Sequence, residues 1–170
     1  MNSEQLKALQ APLKARYVDS PTDAIVCLDA TGTINIDNLT CHVQVASSVD
    51  GRTMSGLHPG AGGDGSAVCS GDMLLQSLVA CSGVTFAAVS TAMGIQISSA
   101  TVTVHGAMDF RGTLGVDRDA PIGLTSIEVL FTVETSESDE KIEKLIQLTE
   151  RYCVVLQTLT NGVAVSSRRD

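Results

Sequence analysis

One apolar segment, residues 71–93, most constrains how this chain can fold. Its sequence is GDMLLQSLVACSGVTFAAVSTAM, and Asp72 is its only charged residue. Ser70 is suited to cap the start of a helix, and Gly94 is suited to end it. The segment therefore predicts one long helix. A helix with no charge beyond its first turn is buried over most of its circumference, so it belongs at the centre of a fold or of a dimer.

Two faces of this predicted helix differ in side-chain size. Residues three and four apart share a face, and the segment contains one face of each kind. The bulky stripe consists of Leu75, Val79, Phe86, Val89 and Met93, and the small stripe of Ser77, Cys81, Thr85, Ala88 and Ala92. We expect the bulky stripe to pack in the core. The small stripe would let another backbone come close.

The rest of the chain alternates between strand and helix patterns. Residues 3–16 have helical composition and form part of an N-terminal extension over residues 1–20, and residues 138–160 form a helix capped by Ser138. Strands are predicted over residues 24–30, 40–48, 96–110, 124–135 and 162–168. This order predicts a single α+β domain over residues 1–170, with a mostly antiparallel sheet and two long helices on one face.

The segment between the second strand and the long helix is rich in glycine. Residues 49–72 contain seven glycines and Pro59, too many for a regular element. A loop of this length in a compact domain is usually functional or disordered. Both interpretations stay open for residues 49–72, which lead directly into the start of the long helix.

Composition excludes several classes of protein. The net charge of −8 argues against a nucleic-acid partner, because phosphate binding requires clustered Lys and Arg. The start of the chain lacks the pattern of a signal peptide, and no run of about 18 apolar residues predicts a membrane span, so a cytoplasmic location is expected. The five cysteines are scattered without a CxxC pair, which predicts thiols, no metal site and no cofactor.

Two of the cysteines lie on the predicted helices. Cys81 is in the middle of the long helix, and Cys153 follows Thr149 by four residues on the apolar face of the last one. Buried cysteines often serve only to fill space, and that interpretation stays open for both. We assign Cys27 and Cys41 to packing. Cys69 is on the glycine-rich loop, so we expect it to be more exposed, and it could be a spare reactive thiol, although nothing else in the sequence supports that role.

The segments SGDMLLQSLVACSGVTF and ERYCVVLQTL resemble the two cysteine motifs of the OsmC/Ohr family, the osmotically inducible and organic hydroperoxide resistance proteins. The resemblance extends over about residues 40–168. It implies an OsmC-like fold in an intertwined homodimer with the long helices at its centre. It also implies a thiol peroxidase that reduces organic or hydrogen peroxides and takes its electrons from an external dithiol.

The same resemblance implies a role for each cysteine. Cys81 would be the peroxidatic thiol, which attacks the peroxide bond and becomes a sulfenic acid. Cys153 would resolve that acid as a disulfide. Whether the two sulfur atoms lie close enough to bridge is left open by the sequence.

The family also uses an acidic residue and an arginine near its first cysteine. Asp72 is the acidic candidate, although Gly71 stands beside it where the family has a Pro-Glu type motif. An ideal helix would place Asp72 about 13 Å along the axis from Cys81 and on the opposite side, which favours a role at the helix dipole instead. Arg52 is the first candidate for the arginine, because it opens the glycine-rich loop that leads to the long helix. Arg111 is the second candidate and Arg151 the third. His58 lies on the same loop.

A second function stays open. An OsmC fold could bind a small molecule in an apolar pocket at its dimer interface, with no peroxidase turnover. In that case the cysteines would be incidental or regulatory, because a fold alone does not fix a function.

Overall fold

The computed structural model of the protein describes residues 3–37, 40–43 and 55–169. The helices are α1 (Ser3–Asp19), α2 (Ser70–Met93), α3 (Phe110–Thr113), α4 (Asp139–Tyr152) and α5 (Val154–Asn161). The strands are β1 (Ile25–Asn35), β2 (Thr40–Val43), β3 (Ser55–Gly56), β4 (Val68–Cys69), β5 (Ser99–Asp109) and β6 (Leu124–Glu134).

Four of the strands form one sheet in the order β2-β1-β5-β6. β1 and β2 are antiparallel, with Gly32 opposite Val43. β5 and β6 are antiparallel as well, because the Ser98 amide donates to the Glu134 carbonyl while the Thr125 hydroxyl donates to Ala107 at the other end. The predicted α+β class with an antiparallel sheet is therefore confirmed.

The contacts of the chain divide it into two compact units. The first unit contains Met1–Ala30, Gln44–Gln76 and Thr103–Val129, and the second contains Thr31–Val43, Ser77–Val102 and Leu130–Asp170. The single domain expected over residues 1–170 stays a prediction.

The core of the second unit lies between helices and one face of the sheet. Phe86 and Ala87 of α2 and Leu145 of α4 are fully buried there. They pack with inward-facing strand residues, among them Ile34, Ala100, Phe131 and Val133. Phe86 stacks on Phe131 with ring centroids 5.4 Å apart. Alternation along the strands directs these side chains inward, so both helices cover the same face of the sheet, as predicted.

The core of the first unit is built around α1. Tyr17 is 1% exposed and packs with Ala61, Phe110 and Leu114. Its hydroxyl donates a 2.7 Å hydrogen bond to the carbonyl of Gly60, and the amide of Gln10 donates to the carbonyl of Ala61. The predicted N-terminal helix is thus present, and it is fastened to the glycine-rich segment.

The described part of the glycine-rich segment, residues 55–69, has a compact structure. β3 pairs with β4 in parallel, and Pro59–Ala61 form a single 3₁₀ turn between them. Gly60 lies against the ring of Phe110, where an added Cβ would come within 2.7 Å of a ring carbon. Only glycine allows this approach without moving the ring.

Two sequence-based expectations at the end of the chain are wrong. The helix predicted over residues 138–160 is interrupted at Cys153, which has an extended backbone and separates α4 from α5. The strand predicted over residues 162–168 is absent, because Gly162 ends α5 and the residues after it have no regular structure. Val163 and Val165 remain exposed, and no strand among the described residues pairs with them.

Contrary to the expectation from the sequence, α2 has the length and composition of a membrane span. Its Leu78, Val79 and Phe86 are buried within the fold. The core helix of a folded domain has the same composition, so this feature alone is weak evidence for a membrane.

Candidate thiol site

Cys81 and Cys153 interact inside the second unit. Both are free thiols, and the two side chains are close enough that Cys81 influences the protonation of Cys153 through a hydrogen bond and through its charge. The Sγ of Cys153 also lies 3.4 Å from the Oγ of Ser82, the residue that follows Cys81. The fold therefore brings together two thiols that are far apart in sequence.

The two thiols differ in exposure. Cys153 is 0% exposed, whereas Cys81 is only partly buried. Burial raises the pKa of Cys153, and the neighbouring Cys81 raises it further, while the Ser82 hydroxyl and the Leu156 amide lower it. Because burial is the largest of these effects, Cys153 is held as a neutral thiol near neutral pH.

The break between α4 and α5 defines the position of Cys153. Its amide still donates to the Thr149 carbonyl at 2.9 Å, and its carbonyl accepts from the Gln157 amide at 2.9 Å. Cys153 therefore ends one helix and precedes the first residue of the next. Thr149 is buried beside it and donates its hydroxyl to the Leu145 carbonyl, a bond that often bends helices.

The two stripes of α2 have different environments. In the bulky stripe Leu75, Val79 and Phe86 are fully buried, as predicted, and Val89 is partly buried. The prediction is wrong for Met93, which lies in the last turn of α2 and is 37% exposed. In the small stripe Ser77, Ala88 and Ala92 are exposed, and Cys81 and Thr85 are partly buried. Among the residues that the structure describes, no element therefore covers the small stripe completely.

The predicted charged partners of Cys81 are distributed differently. Arg52, the first candidate, lies outside the described residues. Arg151 is exposed, and its guanidinium lies over the ring of Tyr152 at 5.6 Å from the centroid. Asp72 lies in the first turn of α2, where it acts electrostatically on His58. None of these observations assigns a cation to Cys81.

Arg111, the second candidate, is held by carboxylates of its own unit. Its guanidinium donates to Asp109 at 2.7 Å and to Asp117 at 3.3 Å. The hydrogen bond from the Arg111 side chain is the main reason that the pKa of Asp109 is lowered. Arg111 therefore stabilises the turn around α3.

His58 is also tied into the first unit. Its Nδ1 accepts a 2.9 Å hydrogen bond from the amide of Gly60, and its ring stacks on Phe110 at 4.9 Å. Burial lowers the pKa of His58, and the charge of Asp72 opposes that effect. The histidine thus caps the 3₁₀ turn, which gives it a structural role.

Ser82 is the site residue that sequence analysis missed. The available signal was its place beside Cys81, on the side of α2 that faces the core. A buried hydroxyl needs a hydrogen-bond partner, and for Ser82 that partner is the Cys153 sulfur.

The groove at the start of α4 does not form an alternative thiol site. A groove of about 570 Å³ at the start of α4 is lined largely by charged side chains, including Lys141 and Glu143, and contains neither cysteine. Within residues 3–37, 40–43 and 55–169, no cluster of three His, Cys, Asp or Glu side chains is arranged to hold a metal ion.

The described residues thus combine an α+β fold with two interacting free thiols, of which Cys153 is buried and Cys81 is partly exposed. The sequence profile of the OsmC-like protein family matches residues 63–168. This protein belongs to the OsmC-like family.

Solved structures of the family have the same fold. An OsmC-like hydroperoxide resistance protein from Jannaschia sp. CCS1 superposes with a TM-score of 0.60 at 13% identity, covering 86% of this chain and 94% of that one. An OsmC-like protein from Mycoplasma pneumoniae gives a TM-score of 0.55 at 19% identity, covering 81% and 86%. Comparison with curated protein sequences found no significant match.

Proposed function

We propose that this protein is a thiol peroxidase that reduces organic or hydrogen peroxides through Cys81 and Cys153. The observation that carries the proposal is the contact between two unbridged thiols that are distant in sequence, one on α2 and one between α4 and α5. The name of the Jannaschia relative, a hydroperoxide resistance protein, favours a peroxide as substrate.

The difference in exposure between the two cysteines favours a different step of the reaction for each. Cys81 is accessible, so its thiolate attacks one peroxide oxygen; the O–O bond breaks, an alcohol or water leaves, and Cys81 becomes a sulfenic acid. Cys153 is buried and held protonated, so it does not compete for the peroxide. It then attacks the Cys81 sulfur, the S–S bond forms and water leaves. An external dithiol reduces the disulfide.

The uncovered small stripe of α2 favours a homodimer as the working form. Cys81 lies on that stripe, so a partner chain would shield the thiol and shape the space that the peroxide enters. Arg52 stays our first candidate for the cation that stabilises the reactive thiolate.

The test is oxidation with cumene hydroperoxide, followed by mass spectrometry. We expect the reduced protein to lose two thiols per chain and to form a Cys81–Cys153 link. Cys153→Ser should still form the sulfenic acid at Cys81, which dimedone traps, but should stop turning over. Cys69→Ser is the matched control: contrary to the expectation from the sequence, Cys69 is buried, and its sulfur accepts a hydrogen bond from the Gly71 amide.

Two results would contradict the proposal. If Cys153→Ser turns over at the wild-type rate, the two-cysteine cycle is wrong. If the hydroperoxide leaves both thiols unchanged, the protein is a small-molecule binding member of the family instead.

A further inference from the structure

Ser82 directly follows Cys81 and faces Cys153. The Ser82 Oγ lies 3.4 Å from the Cys153 Sγ, and the two residues are 1% and 0% exposed. We propose that Ser82 is a positioning residue for disulfide formation: it holds the Cys153 sulfur beside Cys81 and donates a hydrogen bond to it when Cys153 becomes a thiolate. The inference rests on the proposed function and adds to it a residue that controls its second step.

The helix geometry supports this assignment. Successive side chains on an α-helix are about 100° apart, so Cys81 and Ser82 can both act on one sulfur only if it lies between them. Cys81 and Ser82 both form hydrogen bonds with the Cys153 side chain that change its pKa. Ser82 therefore limits the directions in which the Cys153 sulfur can turn away from Cys81.

The hydroxyl can serve both protonation states of Cys153. When Cys153 is a thiol, either partner can donate the hydrogen bond. When Cys153 ionises, only the hydroxyl can donate, and rotation about its C–O bond is enough to redirect the proton. A hydrogen bond to an ionised group is about twice as strong as a neutral one, so Ser82 favours the thiolate.

The surroundings of Cys153 make this donor important. Cys81 and Ser82 face it from α2, and the Leu156 amide faces it from the first turn of α5. The adjacent charged residues of α4, Glu150 and Arg151, are exposed to solvent. Burial works against ionisation, so the two donors, Ser82 and Leu156, offset a cost that no charge on α4 is placed to reduce.

The chemistry of the second step requires the thiolate. The Cys153 sulfur supplies the electron pair of the new S–S bond, the S–O bond of the Cys81 sulfenic acid breaks, and the departing hydroxide takes up a proton to become water. The rate depends on the fraction of Cys153 that is ionised. Removing the Ser82 hydroxyl should therefore slow this step and leave the attack on peroxide unchanged.

The test compares Ser82→Ala with Ser90→Ala. Ser90 is a matched control, because it is fully buried on the same helix but donates to the Ala87 carbonyl. Rapid mixing with peroxide resolves sulfenic acid formation from disulfide formation across a pH series. We expect Ser82→Ala to slow disulfide formation about tenfold at pH 7 and to shift its pH profile up by about one unit. Sulfenic acid formation should stay within about twofold of the wild type.

A second measurement needs no peroxide. The ultraviolet absorbance of the Cys153 thiolate is obtained as the difference between titrations of proteins with and without Cys153, in the wild-type and Ser82→Ala backgrounds. The Ser82→Ala titration should move to higher pH, and Ser82→Thr, which keeps the hydroxyl, should restore the wild-type curve.

The outcomes separate the two proposals. If turnover is normal and Ser82→Ala shifts neither the rate profile nor the titration, or if Ser90→Ala shifts both equally, Ser82 has no positioning role. If no variant forms a sulfenic acid, the proposed function fails, and the role of Ser82 in disulfide formation fails with it, whatever the titration shows.

Discussion

Asp109 and Arg111 form a forked ion pair at the start of α3. The guanidinium donates to both oxygens of the carboxylate, which is 8% exposed, and the same carboxylate accepts from the Arg111 amide. Paired hydrogen bonds of this type are specific in geometry and stronger than neutral ones. This small network fixes the turn that carries Phe110.

We predict that Asp109→Asn destabilises the protein by about 1–2 kcal/mol at pH 7, because Asn keeps the cap but removes the charge. Arg111 is 24% exposed, so solvent screens part of the effect. Urea unfolding measures the difference.

The pH dependence of that difference follows from the lowered pKa of Asp109. The ion pair contributes its full stability above the unfolded value of about 3.9, and this contribution is lost as pH falls through the folded value. The difference in the free energy of unfolding between the wild type and Asp109→Asn should therefore disappear below about pH 4. Asp119→Asn, on the same turn but exposed, is the control; an equal loss in both variants would count against the network.

At the scale of elements, α1 binds the glycine-rich segment through two hydrogen bonds, and the one from Tyr17 is buried. Tyr17 is almost fully buried, and Gly60, whose carbonyl it contacts, lies against Phe110. The hydrogen bond therefore ties a helix near the start of the chain to the turn that precedes α2.

We predict that Tyr17→Phe lowers the free energy of unfolding by about 1 kcal/mol, because the buried carbonyl of Gly60 loses its donor while the ring still packs. Limited proteolysis should also cut residues 55–63 sooner. Tyr152→Phe is the matched control, since Tyr152 is 57% exposed. Indistinguishable unfolding curves for the two variants would show that the Tyr17 hydroxyl does not stabilise the fold.

Most of the elements were predictable from sequence, because period and composition report burial. The bulky stripe of α2 and the alternation of β5 and β6 reflect the core directly. The break at Cys153 was not predictable, because neither Pro nor Gly marks it and the pattern ERYCVVLQTL continues in helical period. The prediction of a final strand is wrong for the opposite reason: the alternation at Val163 and Val165 shows a strand propensity, but no strand among the described residues pairs with them.

The site was predictable only in part. The two cysteines were found through their motifs, but their contact depends on the tertiary fold, as does the bond from Ser82. The charged partners were the weakest predictions, because the sequence around an arginine does not specify which side chains it will contact in the fold. Arg111 shows this, since its carboxylate partners lie on its own turn.

At the scale of the whole molecule, the uncovered stripe of α2 predicts self-association. We expect a dimer at micromolar concentration, with more than about 2,000 Å² of total buried surface. Ala88→Glu places a charge on the stripe, and it should weaken association at least about 100-fold, or about 2.7 kcal/mol at 1.36 kcal/mol per tenfold.

Sedimentation measures the dimer and its loss. Thr132→Glu adds the same charge at an exposed position of β6 and should leave the dimer intact. A wild-type monomer at micromolar concentration, or equal weakening of the dimer by both substitutions, would contradict the prediction that the small stripe of α2 forms the dimer interface.

Each compact unit is assembled from three separate segments of chain, which has a consequence for biosynthesis. Ser82 and Cys153 are 71 positions apart, and at about 5–20 residues per second the ribosome needs roughly 4–14 s to span that distance. During this time α2 exists without α4 and α5, so its central thiol has no partner to protect it. If Cys81 is the peroxidatic thiol proposed above, a newly made chain is most vulnerable to irreversible oxidation before its last two helices emerge, and peroxide stress should damage nascent copies more than finished ones.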